Sequence, residues 1–403
     1  MREKRRGATP TLLRELNGQA IVDTLRKKGP LSRAMLAKTL GLSRPTVSNL
    51  VDRLIADRWI EEIGEGHSPV GRKPILLKFN QRAGFVLGVD LGGTKVLCGV
   101  ADLEGNLLSR VKQPSRAAEG TEVALPALKE AMRKALSEAG VPPGALLAIG
   151  LCCPGVLNPE TGTFALAPNL SGFDRLPLGS LLEQEFGVPV RVANDVNAAA
   201  VGESWRGAAR HRRHVVFVSV GTGLGAGVLI NGEVFEGAAG AAGEIGYMAF
   251  DRRGRETREH GFLETVASGY GLARAAAAVA WPPQPPRGFA EWPPQPPVTP
   301  ERLMELAKLG QPDALGIVDQ LTEYLALGLN NIVSILNPEV IVLGGSVICR
   351  NPWLKEAIAE KFRQLTPVET PIELSQLGEN AALHGATKQA IDQVFASLGR
   401  ATS

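Results

Sequence analysis

Apolar positions recur at helical spacing in three short segments within the first eighty residues. The first segment, residues 17–28, predicts a helix that ends before Gly29-Pro30, because neither residue continues a helix well. Its apolar stripe consists of Ile21, Val22 and Leu25. A second helix is predicted to follow the capping residue Ser32. It is predicted to run through Leu40 with an inner side formed by Met35, Leu36 and Leu40.

A third helix is predicted after the turn at residues 41–43. Ser43 is placed to cap it, and Pro45 suits its first turn. Its buried stripe is predicted to consist of Val47, Leu50, Val51 and Leu54. Two predicted strands, 59–63 and 74–79, then flank a glycine-rich basic loop. This order of helices and hairpin predicts a winged helix-turn-helix domain over residues 1–80.

Beyond residue 84 the pattern changes to strands separated by glycine turns. Three strands, a helix and a buried strand are predicted at residues 84–91, 95–101, 107–111, 123–139 and 146–151. A similar layout restarts about 130 residues later, with strands predicted at residues 215–220, 226–230 and 233–236. The duplication predicts an α/β domain of two lobes whose glycine loops face each other across a cleft.

The predicted first lobe covers residues 84–193 and is completed by a C-terminal helix at about residues 380–403. The predicted second lobe covers residues 194–380 and contains a Pro-rich insertion at residues 281–297, in which WPPQPP occurs twice. Such Pro density excludes a helix and favours a stiff, extended surface linker. A docking peptide for a proline-recognising partner is the alternative.

Charge is distributed unevenly along the chain. Residues 1–80 contain 16 Lys/Arg and 8 Asp/Glu, a balance of +8, whereas the remaining residues contain 28 and 33, a balance of −5. A basic head on an acidic body predicts that a polyanion binds the head alone. The sequence has no secretory signal and no apolar run of the roughly 20 residues that span a bilayer, which predicts a cytoplasmic protein without membrane contact.

Four cysteines lie in apolar segments without C-x-x-C spacing: Cys98, Cys152, Cys153 and Cys349. We therefore expect reduced, partly buried core residues rather than a metal site.

Polar residues on the outer side of the third helix are candidates for DNA contact. They are Arg44, Thr46, Ser48, Asn49 and Arg53. Arg pairs with guanine and Asn with adenine, each worth about 1–3 kcal/mol of discrimination. The wing residues Arg72 and Lys73 are placed to reach phosphate or a narrow minor groove. Solvated surface charge is the alternative, but the +8 balance of the head favours double-stranded DNA. One such head contacts few phosphates, so we expect a homodimer, or a higher homo-oligomer, on a palindromic operator.

Two glycine-rich turns are candidates for phosphate binding. In the first, the residues are Asp90, Gly92, Gly93, Thr94 and Lys95, where backbone N–H groups, a hydroxyl and an ammonium meet phosphate and Asp90 holds hydrated Mg²⁺. A plain β-turn that needs glycine is the alternative. The second turn offers the same chemistry through Gly221, Thr222 and Gly223. The pair Gly344-Gly345 ends a buried strand, where backbone can lie against adenine or ribose.

Asp195 follows a predicted strand and begins a predicted helix. A carboxylate at this place can act as a base for a sugar hydroxyl. Asn194 and Asp195 also suit the cap of a helix, and the residues alone do not separate these two interpretations.

The chain from about residue 84 onward resembles the ROK family of bacterial sugar kinases and sugar-responsive repressors. The resemblance rests on the motifs DLGGTK, CCPGV, APNL, NDVNAAAVGE, GTGLGAGVLINGEV, GAAGEIG, LETVASG and NPEVIVLGG, which occur in the family's order. It implies an actin-like, two-lobed ATPase fold with Asp195 as the catalytic base. It also implies sugar-binding roles for Asn169, Asn194, Asp195, Glu244 and Glu264. The winged head is typical of the repressor branch of that family.

The chain departs from the family where its members bind structural zinc. Tyr247 stands where the family usually has its zinc-binding His. The positions of the usual cysteines are occupied here by Arg255, Thr257 and Phe262. Without thiolates we expect no zinc there. Tyr247 can donate one hydrogen bond to the sugar in place of that His.

Two functions follow from these observations. The first is a sugar-responsive transcriptional regulator, in the repressor sense, whose partners are an operator and a sugar effector and which needs no cofactor. The second is an ATP-dependent sugar kinase, with ATP and Mg²⁺, that carries a DNA-binding head. Phosphoryl transfer needs mainly positioning and charge neutralisation, so the sequence leaves enzymatic activity open.

Overall fold

A computed structural model describes residues 10–66, 73–158, 163–166, 170, 172–173, 176–250, 260–281 and 298–398. Four residues singled out from the sequence lie outside these ranges: Arg72, Asn169, Arg255 and Thr257. Of the Pro-rich insertion, only Trp281 lies inside them. In the part of the chain that is described, no helix combines the length and apolar character that a membrane span requires.

The winged head forms as the sequence predicts, with some differences at its helices. Its elements are α1 (Pro10–Lys28), β1 (Leu31–Ser32), α2 (Arg33–Leu40), α3 (Arg44–Ala56), β2 (Ile60–Glu65) and β3 (Ile75–Phe79). The strands form a sheet in the order β1-β3-β2. Helix α1 begins seven residues earlier than predicted, and its first two turns carry Leu12, Leu13 and Leu16, which are exposed and therefore extend the helix beyond its buried stripe.

Helix caps in the head are confirmed, whereas one predicted core residue is wrong. The Ser32 hydroxyl accepts the Met35 N–H at 3.3 Å, and the Ser43 hydroxyl accepts the Thr46 N–H at 3.3 Å. The stripe of α3 is buried as expected. Met35, however, is 51% exposed, while Leu36 and Ala37 are buried. Successive helical residues are about 100° apart, which turns Met35 away from the side that Leu36 and Ala37 share.

The first of two five-stranded sheets follows the head. Its chain segment contains β4 (Phe85–Leu91), β5 (Lys95–Asp102), β6 (Leu107–Pro114), α4 (Thr121–Glu138), β7 (Leu146–Cys153), β8 (Val156–Leu157), β9 (Phe164–Leu166), α5 (Leu178–Phe186) and β10 (Val190–Asn194). The sheet order is β10-β7-β4-β5-β6, and β8 pairs separately with β9. Strands β4, β5 and β6 are antiparallel, while β7 and β10 run parallel to β4.

The second sheet repeats this plan. Its segment contains α6 (Asp195–Arg206), β11 (Val215–Val220), β12 (Leu224–Ile230), β13 (Glu233–Val234), α7 (Phe262–Ala267), α8 (Gly269–Ala277), α9 (Pro300–Lys308), α10 (Pro312–Leu336), β14 (Val340–Gly344), α11 (Gly345–Arg350), α12 (Leu354–Leu365), β15 (Ile372–Leu374) and α13 (Ala381–Leu398). The sheet order is β13-β12-β11-β14-β15, again with three antiparallel strands and two parallel additions. The duplicated α/β layout predicted from the sequence is confirmed.

Helix α13 packs against the first sheet and against α6. At Gly150 on β7 the approach is so close that a Cβ would lie 1.9 Å from the carbonyl oxygen of Ala386. At Gly202 on α6, a Cβ would lie 2.1 Å from the carbonyl oxygen of Ala381. Only glycine permits backbones to meet at this spacing, so α13 is seated on two elements at once.

The head and the first sheet share one hydrophobic core through the end of α13. Buried residues of the head and Phe395 of α13 belong to the same cluster. The Phe395 ring lies 6.3 Å from Trp59 and 5.8 Å from Phe79, measured between ring centroids. The Arg26 guanidinium covers the same ring at 3.9 Å. The winged head is therefore packed directly on the last helix of the chain.

Three of the four cysteines are buried as predicted: Cys98, Cys152 and Cys153. The prediction is wrong for Cys349, which is exposed. It lies on the short helix α11, whose buried side is formed by Val347 and Ile348.

Candidate functional site

Two carboxylates lie near the carboxyl ends of β4 and β10, the two strands that flank β7. Asp90 lies in β4 opposite Cys152 of β7, and Asp195 directly follows β10, whose last residue pairs with Cys153. Burial, followed by the nearby charge of Asp195, raises the pKa of Asp90 to about 7. Burial likewise raises the pKa of Asp195 to about 6, against hydrogen bonds from backbone N–H groups that favour its ionised form. Asp195 therefore lies close enough for its charge to act on Asp90.

Asn194 is the cap of helix α6. Its Oδ1 accepts the Val196 and Asn197 N–H groups at 2.9 and 3.0 Å, and its Nδ2 donates to the Gly155 carbonyl at 3.0 Å. The capping alternative raised from the sequence therefore applies to Asn194. Asp195 comes one residue later, where its Oδ1 accepts the Val196 N–H at 2.9 Å. The sugar-binding role of Asn194 stays a prediction.

The second lobe contributes two glutamates, Glu244 and Glu264, and the charge of Asp195 acts on the first of them. Glu244 precedes a short 3₁₀ turn, Ile245–Tyr247, and Glu264 lies on α7. Burial, then the charges of Glu264 and Asp195, raises the pKa of Glu244. Burial and the same two glutamates, Glu244 and Glu264, raise the pKa of Tyr247. The charges of Asp195 and Glu264 thus act on Glu244, and those of Glu244 and Glu264 act on Tyr247. Asn169 lies outside the described residues.

Glu264 also holds the second glycine turn. Its Oε1 accepts the Leu224 N–H at 3.1 Å, and a Cβ at Gly223 would lie 2.5 Å from the same oxygen. The start of α8 fastens the turn from another side, because the Gly269 N–H donates to Gly221 and the Tyr270 N–H donates to Thr222. The predicted phosphate turn and a predicted sugar carboxylate are therefore directly joined.

The first glycine turn is tied to a carboxylate from the C-terminal region. The Gly92 N–H donates to the Lys95 carbonyl at 2.8 Å, which closes the hairpin between β4 and β5. Lys95 Nζ lies 3.4 Å from Glu379, which also pairs with Arg110 at 2.6 Å and Lys112 at 2.7 Å. Hydrogen bonds, that from Lys112 first, lower the pKa of Glu379 to about 2. Lys95 thus already has an anionic partner.

The residues partly fit ATP with Mg²⁺. Asp90 offers a carboxylate beside the first turn, and the second turn is fixed by the hydrogen bonds that its carbonyls accept from the start of α8. Gly344 ends β14, and Gly345 has φ +83°, a conformation that suits glycine. Lys95 also contacts Glu379, which it shares with Arg110 and Lys112, so the surroundings of its ammonium group stay positively charged.

The positions that bind zinc in family members do not fit zinc here. Tyr247 replaces the His, and Phe262 replaces one Cys. The Phe262 ring packs against Phe250 at 6.1 Å and Tyr324 at 5.2 Å between centroids. Arg255 and Thr257 lie outside the described residues. At position 262, where the family resemblance implies a cysteine, this chain therefore has a ring that is part of an aromatic cluster.

Most of the predicted DNA-contacting residues lie exposed on α3. These are Arg44, Thr46, Asn49 and Arg53, and the Thr46 hydroxyl also bonds to that of Ser43 at 2.7 Å. Ser48 is half-buried, and its carbonyl accepts from Arg33. Lys73 on the wing pairs with Glu65 at 3.5 Å. Their contacts with DNA stay predictions, as does that of Arg72.

Sequence reasoning missed three polar residues around this site. His260 and Glu379 contact Glu264 and Lys95, respectively. Glu203 on α6 is fully buried and accepts hydrogen bonds from the segment that leads to α13. The only local signal among them is the i, i+4 spacing of His260 and Glu264.

Comparison with known proteins agrees with this architecture. A ROK family profile matches residues 86–393, and a MarR family profile matches residues 20–68. The xylose repressor of Caldicellulosiruptor bescii is 30% identical over 96% of this chain and 98% of that protein. The glucokinase of Streptomyces coelicolor is 31% identical over 75% of this chain and 96% of that protein.

Of two similar solved structures, one covers nearly the whole chain and the other covers about three quarters of it. A ROK family transcriptional regulator, described as a homologue of the E. coli MLC protein, covers 96% of this chain and 99% of its own at 26% identity, with a TM-score of 0.77. A glucokinase from Streptomyces griseus, in complex with glucose and AMPPNP, covers 77% of this chain and 100% of its own at 30% identity, with a TM-score of 0.64. With its two-lobed α/β body and its winged helix-turn-helix head, this chain belongs to the ROK family.

Proposed function

We propose that this protein is a sugar-responsive transcriptional repressor. The observation that carries the proposal is the shared core between the winged head and α13, in which Phe395 lies against Trp59 and Phe79. Helix α13 in turn packs on α6, the helix that begins with Asp195. A ligand beside Asp195 can therefore bias the head if it binds two arrangements of these helices with different affinity.

The effector we propose is a neutral monosaccharide. Asp195, Glu244 and Glu264 offer carboxylate oxygens, and a sugar is covered in O–H donors. Relatives aligned over nearly the whole chain are named xylose repressors, so xylose is the first candidate. Tyr247 replaces the family's His at this site, and we propose that it donates a hydrogen bond to the sugar and influences which one is preferred.

The second proposed partner is operator DNA. Exposed Arg44, Asn49 and Arg53 on α3 are the residues we expect at base edges in the major groove, with Lys73 near the backbone. We propose a homodimer, because two heads double the phosphate contacts and read a palindromic site. We propose that the protein is cytoplasmic, because a DNA-binding regulator must be in the same compartment as its operator.

A sugar kinase is the alternative. It is favoured by two nearby carboxylates, Asp90 and Asp195, in a site that also has two glycine turns. In that case Asp195 would accept the proton of the sugar hydroxyl, while Asp90 and the turns would hold Mg²⁺ and ATP phosphates. Lys95 shares Glu379 with Arg110 and Lys112, so this cluster keeps positive charge that could attract phosphate. Kinase relatives, however, align with the body alone.

A mobility-shift titration on the region upstream of the protein's own gene tests the proposal. We expect a retarded complex at moderate salt that dissociates with one sugar of a panel led by xylose and glucose. Asn49→Ala should weaken DNA binding without changing the sugar affinity measured by calorimetry. Asp195→Asn should weaken sugar binding without changing DNA binding in the absence of sugar. A complex that no sugar changes, together with ADP production from ATP, Mg²⁺ and a sugar, would favour the kinase.

A further inference from the structure

Glu264 meets an imidazole in this chain even though the family's His is absent. The Nδ1 atom of His260 lies 3.1 Å from Glu264 Oε2, four residues along the chain. Glu264 Oε1 meanwhile accepts the Leu224 N–H of the second glycine turn. The two oxygens of one carboxylate are therefore held from two directions.

The His260 ring is itself fixed by stacking. It lies against Tyr270 with ring centroids 4.2 Å apart and planes inclined by 23°. The Tyr270 backbone N–H donates to the Thr222 carbonyl at 3.0 Å. The same tyrosine thus supports the imidazole with its ring and the glycine turn with its backbone.

Gly261 brings this arrangement next to Tyr247. A Cβ at position 261 would lie 2.3 Å from the Cα of Tyr247 and 2.1 Å from the Gly246 carbonyl oxygen, so only glycine fits. The chain on either side of residues 251–259 is consequently drawn together beside Glu264. On the other side of Gly261, Phe262 enters the aromatic cluster with Phe250 and Tyr324.

We propose that His260 is a positioning residue for sugar binding, which orients the Glu264 carboxylate and, through Tyr270, couples it to the second glycine turn without a metal. The inference rests on the proposed sugar site and goes beyond it, because it names the residue that orients Glu264 in a chain that has Tyr247 in place of the family's His. A carboxylate held in one rotamer loses less entropy when it accepts a sugar hydroxyl. Its geometry would otherwise vary, since a glutamate side chain has three rotatable bonds.

Calorimetric sugar titrations of full-length variants test this role. We expect His260→Ala to weaken sugar binding by up to about tenfold, because the sugar must then itself order the Glu264 side chain. His260→Asn should recover part of the affinity, because its amide nitrogen stands near the place of Nδ1. Tyr270→Ala should weaken binding and Tyr270→Phe should keep most of what Tyr270→Ala loses. Arg274→Ala, an exposed change on the same helix as Tyr270, serves as the control.

Hydrogen exchange separates this inference from the proposed function. Without sugar, the Leu224 amide should exchange several-fold faster in His260→Ala than in the unchanged protein, because Glu264 is then free to leave it. If no sugar binds the unchanged protein, the proposed function fails, yet the exchange at Leu224 still decides whether His260 holds Glu264. Equal sugar affinity in His260→Ala, equal exchange at Leu224, or no recovery by His260→Asn would each overturn the inference.

Discussion

Gly385 on α13 lies directly against Ala198 on α6, so closely that a Cβ at position 385 would be 1.7 Å from the Ala198 carbonyl oxygen. The two helices therefore touch through their backbones. Helix α6 begins at Asp195 in the candidate sugar site, and α13 ends beside the winged head. Interfaces packed this tightly shift as units rather than deform gradually, which suits the transmission of a signal.

The first prediction concerns this crossing. Gly385→Ala should destabilise the protein by about 1–3 kcal/mol or more, because the methyl group must push two backbones apart. Urea unfolding measures the loss. Gly316→Ala on α10 is the matched control, since nothing lies within 4 Å of its Cβ position. It should stabilise the protein by about 0.5–1 kcal/mol through helix propensity. Equal effects of the two changes would contradict the close crossing.

The second prediction concerns the contact between α13 and the head. Phe395→Ala should cost about 3–5 kcal/mol, because a large buried ring leaves a cavity among Trp59, Phe79 and Arg26. Sugar affinity should stay near that of the unchanged protein, but the sugar should no longer release DNA in a mobility-shift assay. Phe235→Ala, which removes a ring that is 47% exposed, should leave the release intact. Normal release in Phe395→Ala would show that the head responds by another route.

The third prediction concerns pH. The folded-state pKa values of Asp90 and Asp195, about 7 and about 6, exceed the unfolded value of about 3.9. Their protonated forms favour folding, so this contribution is present below pH 4 and is lost as pH rises toward 7. At pH 8, Asp195→Asn should therefore be more stable than the unchanged protein by on the order of 1–3 kcal/mol. Denaturation at pH 4 should show almost no difference, and a constant difference across pH would exclude the shift.

The fourth prediction concerns the buried carboxylate of Glu203. Its oxygens accept the Ala208 N–H at 2.7 Å, the Ser375 hydroxyl at 2.5 Å and the Leu377 N–H at 3.0 Å. A glutamine has one acceptor oxygen, so Glu203→Gln must leave a donor facing its NH₂ group. We expect a loss of about 1–3 kcal/mol in urea unfolding. Ser375→Ala should cost less, because Leu377 still satisfies the same oxygen and the main loss is the hydroxyl that accepts the Gly378 N–H. A neutral Glu203→Gln would argue against these bonds.

The features that sequence predicts well depend on neighbours in the chain. The caps at Ser32 and Ser43 follow from residues three positions away, and the buried stripe of α3 follows from its own periodicity. The repeated strand–turn–strand layout predicted both sheets. The prediction that Met35 lies on the inner side of α2 was wrong, because a helix of eight residues has too few apolar positions to define its buried side.

The features that sequence could not predict depend on distant residues. Ser375 is 172 residues from Glu203, and Glu379 is 284 residues from Lys95. No local pattern marks either pair. His260 lies after a densely charged segment, where it resembles solvated surface, and only the folded chain places Tyr270 beneath its ring. The resemblance to the ROK family predicted the candidate sugar carboxylates, but it offered no guide where this chain departs from the family.

The core shared by the winged head and α13 limits how this protein can be divided. A fragment cut near residue 80 would carry the apolar faces of Trp59 and Phe79 into water, since the ring that covers them comes from the other end of the chain. Such a fragment should be sticky and poorly folded. The winged head is therefore not an independent domain. Transferring it to another protein would require transferring α13 with it.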